Sequence, residues 1–174
     1  MTRIYLLVEG DDDQRFFDNP RIKSELELKY SEVHIVKYST WATDRIAKFL
    51  EGIRASEGEY IFVRDFDHGE CVPGRKTEIL RDYASLNLDP GRILVVIHEI
   101  ESWYYAGISE TFCNRSGLAR LPSTHNLSKS GFDTLIEGKF GSRIDCLAEI
   151  IHSFSIEVAR SKNESFAYFC RRFL

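Results

Sequence analysis

Short apolar runs alternate with helical periods through the first two-thirds of the chain. Ile4-Tyr-Leu-Leu-Val8 is an unbroken apolar run closed by Glu9-Gly10, which predicts a buried strand. Asp11 is placed to cap a helix through Phe16 and Phe17; Pro20 interrupts it, and helical character resumes from Ile22 to Tyr30. Val33 to Tyr38 predicts a second strand. Thr40 is placed to cap an amphipathic helix with Ala42, Ile46, Phe49, Leu50 and Ile53 on one face. Tyr60 to Val63 predicts a third strand that runs into Asp65-Phe66-Asp67. Ile79, Leu80, Tyr83 and Leu86 mark a helix stopped at Asp89-Pro90-Gly91, and Ile93 to Ile97 predicts a fourth buried strand.

Strands separated by helix-length crossovers imply a mainly parallel sheet covered on both faces, an α/β fold. The last third reads differently. Ile144, Leu147, Ala148 and Ile151 share one helical face, and Phe166, Phe169, Cys170 and Phe173 share another. Thr111 to Lys129, with Pro122 and several serines, reads as a loop. The expectation is one domain over 1–174, with a four-stranded core over about 1–109 and a helical C-terminal extension over about 110–174.

Composition narrows the class. At 174 residues, 43% hydrophobic and 29% charged, the chain excludes a disordered polymer, a coiled coil and a collagen-like fibre. No apolar stretch approaches the roughly 18–20 residues of a membrane span. The opening run meets Glu9 too early for a signal peptide, and the four cysteines form no C-x-x-C pair, so a cytoplasmic protein with reduced thiols and no membrane partner is expected. The net charge of −4 is unevenly spread: residues 1–109 carry 14 Lys/Arg against 20 Asp/Glu, and residues 110–174 carry 9 against 7. An acidic site in the first part and a phosphate-steering surface in the second would produce that asymmetry, as would chance.

The acids fall where such sheets bind ligands, beyond the carboxyl ends of strands. Glu9 closes the first strand, Asp65 and Asp67 the third, and Glu99 and Glu101 follow the fourth. Asp65 and Asp67 are two apart, so in extended backbone they leave the same side. Glu9 joins them if the first and third strands are neighbours. Converging carboxylates repel one another and raise each other's pKa; a divalent cation removes that cost, and hard oxygen donors select Mg²⁺ or Mn²⁺. Asp11 and Asp12 are explained by the helix dipole alone, whereas Asp13 lies one turn beyond Glu9. Strand-end aspartates also make turns. Glu9 is harder to explain structurally, and Gly10 permits close backbone approach to a ligand.

Val8-Glu9-Gly10 after the first strand, with Asp65-Phe66-Asp67 after a later one, resembles the TOPRIM domain of topoisomerases, primases and overcoming-lysogenization-defect nucleases. Glu9-Gly10-x-x-Asp13 is similar to the E-G-x-x-E/D form of the nuclease branch and its small stand-alone relatives. Glu101-Ser102-Trp103 is similar to their E-x-W element, and Ser161-Lys162 before Ser165-Phe166 to their C-terminal lysine and aromatic helix. The likeness covers about residues 3–106. It differs in one place: the family pattern is D-x-D-x-x-G, and here Gly69 arrives one position early.

The resemblance implies a TOPRIM-like fold and a Mg²⁺- or Mn²⁺-dependent nuclease acting on nucleic acid, DNA before RNA, in phage defence or DNA repair, with an ATPase partner. It implies Glu9 as a metal ligand or general acid/base, Asp65 and Asp67 as metal ligands, and Asp13 and Glu101 as further ligands. Lys162 would neutralise the transition state. At 174 residues, neither a topoisomerase nor a complete primase, with the extra domains those activities need, is expected.

Other chemistries lack their residues. The five histidines show no H-x-x-x-H spacing, and there is no P-loop, G-x-G-x-x-G or G-x-S-x-G motif. Trp41 and Trp103 read as core residues. Two alternatives stay open: a TOPRIM-like module that binds metal or a partner without cutting, and a receiver-like phospho-acceptor, although no lysine closes a later strand after Ile97.

Overall fold

The computed structural model describes residues 2–66 and 71–174. Asp67 and His68 therefore lie outside the described residues, as does Gly69. Four strands, β1 (Arg3–Val8), β2 (Glu32–Lys37), β3 (Glu59–Phe66) and β4 (Ile93–Ile97), form one sheet in the order β2-β1-β3-β4. β1 pairs in parallel with both β2 and β3. The chain has the expected α/β architecture, with helices between successive strands.

The chain divides into two compact units, Met1–Val95 and Val96–Leu174. In the first, α1 (Asp11–Phe17) and α2 (Pro20–Glu27) follow β1, α3 (Thr43–Ala55) joins β2 to β3, and α4 (Val72–Asp82) follows β3. Leu6, Leu7 and Val8 are all fully buried, so β1 is covered on both faces. Leu7, Phe62, Ile93 and Val95 share a cluster with Ile46, Leu50 and Ile53 of α3 and Ile79 of α4. The alternate residues Ile4, Leu6, Ile61 and Val63 point to the opposite face.

Several local readings change in this unit, beginning with the cap of α1, which is Gly10 and not Asp11. Ala42, not Thr40, is the N-cap of α3, because the turn that bonds the Trp41 amide to the Tyr38 carbonyl (2.8 Å) delays the helix. α4 ends at Asp82, and Leu86 falls in a separate 3-10 turn over Ala84–Leu86. Trp41 is only half-buried, with the Arg45 guanidinium 4.1 Å from its ring centroid.

The second unit contains six helices among its described residues: α5 (Ile100–Ala106), α6 (Glu110–Ser116), α7 (Lys129–Ile136), α8 (Arg143–Ser153), α9 (Ile156–Lys162) and α10 (Glu164–Phe173). α6 corrects the loop expected from Thr111. Ser109 caps it, its hydroxyl accepting from the Phe112 amide, and Gly117 ends it at φ +65°. The buried face of α8 is Cys146, Leu147 and Ile150, while Ile144 is 61% exposed, so that stripe is displaced from the expected one. The α10 face is as expected: Phe166, Phe169, Cys170 and Phe173 are buried beneath Trp103 and Phe154.

No helix among the described residues is long and apolar enough to cross a membrane. The cysteines are all free; Cys71 is exposed and Cys113, Cys146 and Cys170 are buried.

Leu7 has no exposed surface, so Leu7→Ala should cost about 2–5 kcal/mol in urea unfolding, whereas Ile144→Ser should change stability by about 0.5 kcal/mol or less. Burial pushes the Cys146 thiol up to about 12. Native-state iodoacetamide labelling should therefore modify Cys71 first and reach Cys146 only on unfolding. The folded thiol holds its proton where the unfolded one has lost it, so stability should fall as pH climbs from about 9 towards 12. Paired urea melts on either side of pH 9 read the sign.

Candidate functional site

The carboxyl ends of β1 and β3 meet at one edge because the strands are adjacent and parallel. The register pairs Leu7 with Phe62. Carried two residues further, it sets Glu9 beside Arg64 rather than beside Asp65. The side chains confirm this: Arg64 Nη1 donates to Glu9 Oε1 in a short ion pair. It also donates to the Tyr83 hydroxyl (3.0 Å) and lies 3.4 Å from that of Tyr38. The Arg64 guanidinium sits 5.4 Å from the Tyr83 ring centroid as well.

Burial opposes the charge on Arg64, but Tyr38, Glu9 and Tyr83 outweigh it and hold the guanidinium protonated above its usual value. Burial first, and then the Glu9 charge, push the Tyr38 phenol well above the normal tyrosine range. The result is a fixed cation against a strand-end carboxylate. Sequence reading missed Arg64; its place one residue before Asp65 was the only available cue.

Asp13 is 6% exposed and accepts from the Gly10 amide at its Oδ2 (2.9 Å), closing the first turn of α1. A Cβ on Gly10 would lie 2.8 Å from that oxygen, so a larger residue there would push the Asp13 carboxylate aside. Asp11 pairs with Lys37, which holds its carboxyl below the usual range. Asp65 follows Arg64 on β3, so the pleat aims it at the face opposite to Arg64 and Glu9. Its Oδ1 is buried, and its carbonyl accepts from Arg75 Nε (3.4 Å), an arginine only 8% exposed. Arg75 is a second cation that the sequence did not single out.

In kind, the oxygens of Glu9, Asp13 and Asp65 suit a hard divalent ion. In number they fall short: no group of three or more His, Cys, Asp or Glu side chains among the described residues is arranged to hold a metal. A full donor set would need Asp67.

Glu101 and Lys162 belong to the second unit. Glu101, in the first turn of α5, is 2% exposed and accepts from Arg143 Nη2, with Lys129 Nζ at 3.4 Å. Arg143 also pairs with Asp133 (2.9 Å), and the Glu101 charge raises the Lys129 pKa. The Lys129 amide donates to Glu99 (2.7 Å), and His98, just before Glu99, is in the left-handed region at φ +60°.

Lys162 Nζ donates to the Ile108 carbonyl (3.1 Å). Next to it, Asn163 is 2% exposed and caps α10 by accepting from the Phe166 amide (3.0 Å). Its amide donates to Ser102 (3.3 Å) and Thr124 (3.1 Å), while Trp103 Nε1 donates to Ser165 (2.7 Å). The Glu101-Ser102-Trp103 and Ser161–Phe166 segments are thus joined by a buried polar network, and Trp103 is a core residue.

Glu101→Ala should lower stability in urea unfolding by about 1.5–3 kcal/mol, because charge-assisted bonds to Arg143 are lost. A loss of only about 0.3–1 kcal/mol would reduce Glu101 to a partner of the α5 dipole.

No family model matches the sequence, and no curated protein matches it. Among solved structures, the C-terminal region of the Burkholderia pseudomallei OLD protein is similar at 13% identity, over 98% of this chain and 94% of that one, with a TM-score of 0.45. At that distance the site is read from its own geometry.

Proposed function

We propose that the edge formed by Glu9 and Asp65 is the centre of a Mg²⁺- or Mn²⁺-dependent nuclease that hydrolyses phosphodiester bonds, with DNA the expected substrate. The observation that supports this reading is the parallel adjacency of β1 and β3, which brings both acidic strand ends to one edge. A bound divalent ion would supply activated water and charge stabilisation at the phosphoryl oxygens. Asp65 and Asp67 would anchor it, with Glu9 facing it from the end of β1; Asp13 keeps Gly10 close, and Tyr38 and Tyr83 fix Arg64 against Glu9. An ATPase partner and a role in phage defence or DNA repair accompany this reading through the TOPRIM resemblance alone.

The Arg64–Glu9 ion pair favours a second reading. A guanidinium already relieves the charge on Glu9, as it would in a binding module that does not cut.

Thermal melts with and without Mn²⁺, run beside cleavage of plasmid and RNA, separate the readings. For a nuclease, Mn²⁺ should raise the midpoint, Glu9→Gln and Asp65→Asn should abolish that rise, and both should cut cleavage by about a hundredfold or more. Arg64→Met should tighten Mn²⁺ binding by removing the competing cation while lowering stability in its absence. A metal-dependent midpoint without cleavage supports the module. An unchanged midpoint at millimolar Mn²⁺, with no cleavage, overturns the nuclease and every metal-binding role of this edge, and leaves a partner-binding module.

A further inference from the structure

The second unit carries a polar cleft of about 690 Å³ between the Ser123–Asn126 segment and the junction of α9 with α10. Its walls present Arg160, Lys162 and Arg171 against a single carboxylate, Glu164. We propose that this cleft binds a phosphate group and, resting on the nuclease reading above, that its ligand is the sugar-phosphate backbone of a nucleic-acid strand.

The walls are held in place before any ligand arrives. The Lys162 carbonyl accepts from the Thr124 amide (3.0 Å) and from the Ser123 hydroxyl (3.2 Å). The Asn163 amide donates to Thr124 Oγ1 from inside the unit, and the His125 amide donates to Ser123 Oγ (3.2 Å). Thr124 and Asn163 are almost wholly buried, so the segment cannot move without breaking interior bonds. A pre-formed recess loses little ordering entropy on binding. Glu164, Ala167 and Arg171 stand at positions i, i+3 and i+7 of α10 and line one wall. The small Ala167 between the charged residues leaves the recess open.

Helix dipoles account for part of the positive charge, since Arg160 and Lys162 occupy the last turn of α9 and Arg171 that of α10. They do not account for His125. It comes from a separate segment, and its Nδ1 is buried with no hydrogen-bond partner. The Lys162 ammonium is engaged by the Ile108 carbonyl, so the two guanidinium forks of Arg160 and Arg171 are the available phosphate donors. The feature that identifies the ligand class is the pair of guanidinium groups, carried on two different helices, that line one rigid recess.

The test uses the whole chain with a chelator present, so that it is independent of any cation at the β1–β3 edge. Single-stranded DNA and RNA oligonucleotides are titrated by fluorescence anisotropy over a salt series, and inorganic phosphate is added as a competitor. The Arg160→Gln/Arg171→Gln double variant should bind about tenfold or more weakly, and its log K against log salt should be shallower by about 1.4, the value for two lost phosphate contacts on a single strand. Arg81→Gln, an exposed arginine in the first unit, should bind as the parent does. Competition by inorganic phosphate supports the phosphate site; competition without oligonucleotide binding replaces the strand with a small phosphorylated ligand. Equal binding by the parent and the double variant with no competition, or an equal loss in Arg81→Gln, overturns the proposal.

Discussion

The position of β1 between two parallel partners is the constraint on which the first unit depends. Parallel neighbours align their carboxyl ends, so every strand-end residue of β1 and β3 arrives at one edge. The same register decides lateral partners one residue at a time. A shift of one position would exchange Arg64 for Asp65 beside Glu9 and turn the core residues Leu7 and Phe62 to opposite faces. The charge pattern at the edge and the packing of the core are therefore two consequences of one alignment. Burying Leu7 and Phe62 in a common cluster secures both.

That alignment makes the edge more than a collection of acids. Glu9 faces a guanidinium braced by two phenols, and Asp13 is spent on the turn that starts α1. Asp65 leaves from the other side of the pleat, next to the buried Arg75. Like-charge repulsion, the argument for a divalent ion drawn from sequence, is partly relieved by the chain's own arginines. Any cation held there competes with Arg64 for Glu9, which couples metal affinity to the Tyr38–Arg64–Tyr83 brace.

The second unit is organised by satisfied polar groups as much as by its aromatic core. Asn163 caps α10, ties the Thr124 segment to Lys162 and reaches Ser102 on α5, so one amide joins three parts of the chain. Trp103 and Ser165 add a further buried bond beneath Phe166 and Phe169. Such networks stabilise only when every member is paired. The unpaired Nδ1 of His125 at its margin therefore marks where the pattern stops.

Local periodicity carried much of the architecture. The four apolar runs, the Phe166–Phe173 face and the acids at strand ends were legible because they repeat with the geometry of strand or helix. Capping signals gave less: Ser109 and Gly117 mark α6, yet the serine-rich stretch after them masked it, and the α8 stripe was misplaced because Ile144 is apolar but exposed. Only the tertiary structure decided which charges meet. Arg64 reaches Glu9 across a strand pair, Arg143 reaches Glu101 from α8, and Asn163 reaches Ser102 from the α9–α10 junction. The physical reason is that periodicity describes one element at a time, whereas an ion pair or buried hydrogen bond depends on lateral register and helix docking, which no local pattern encodes.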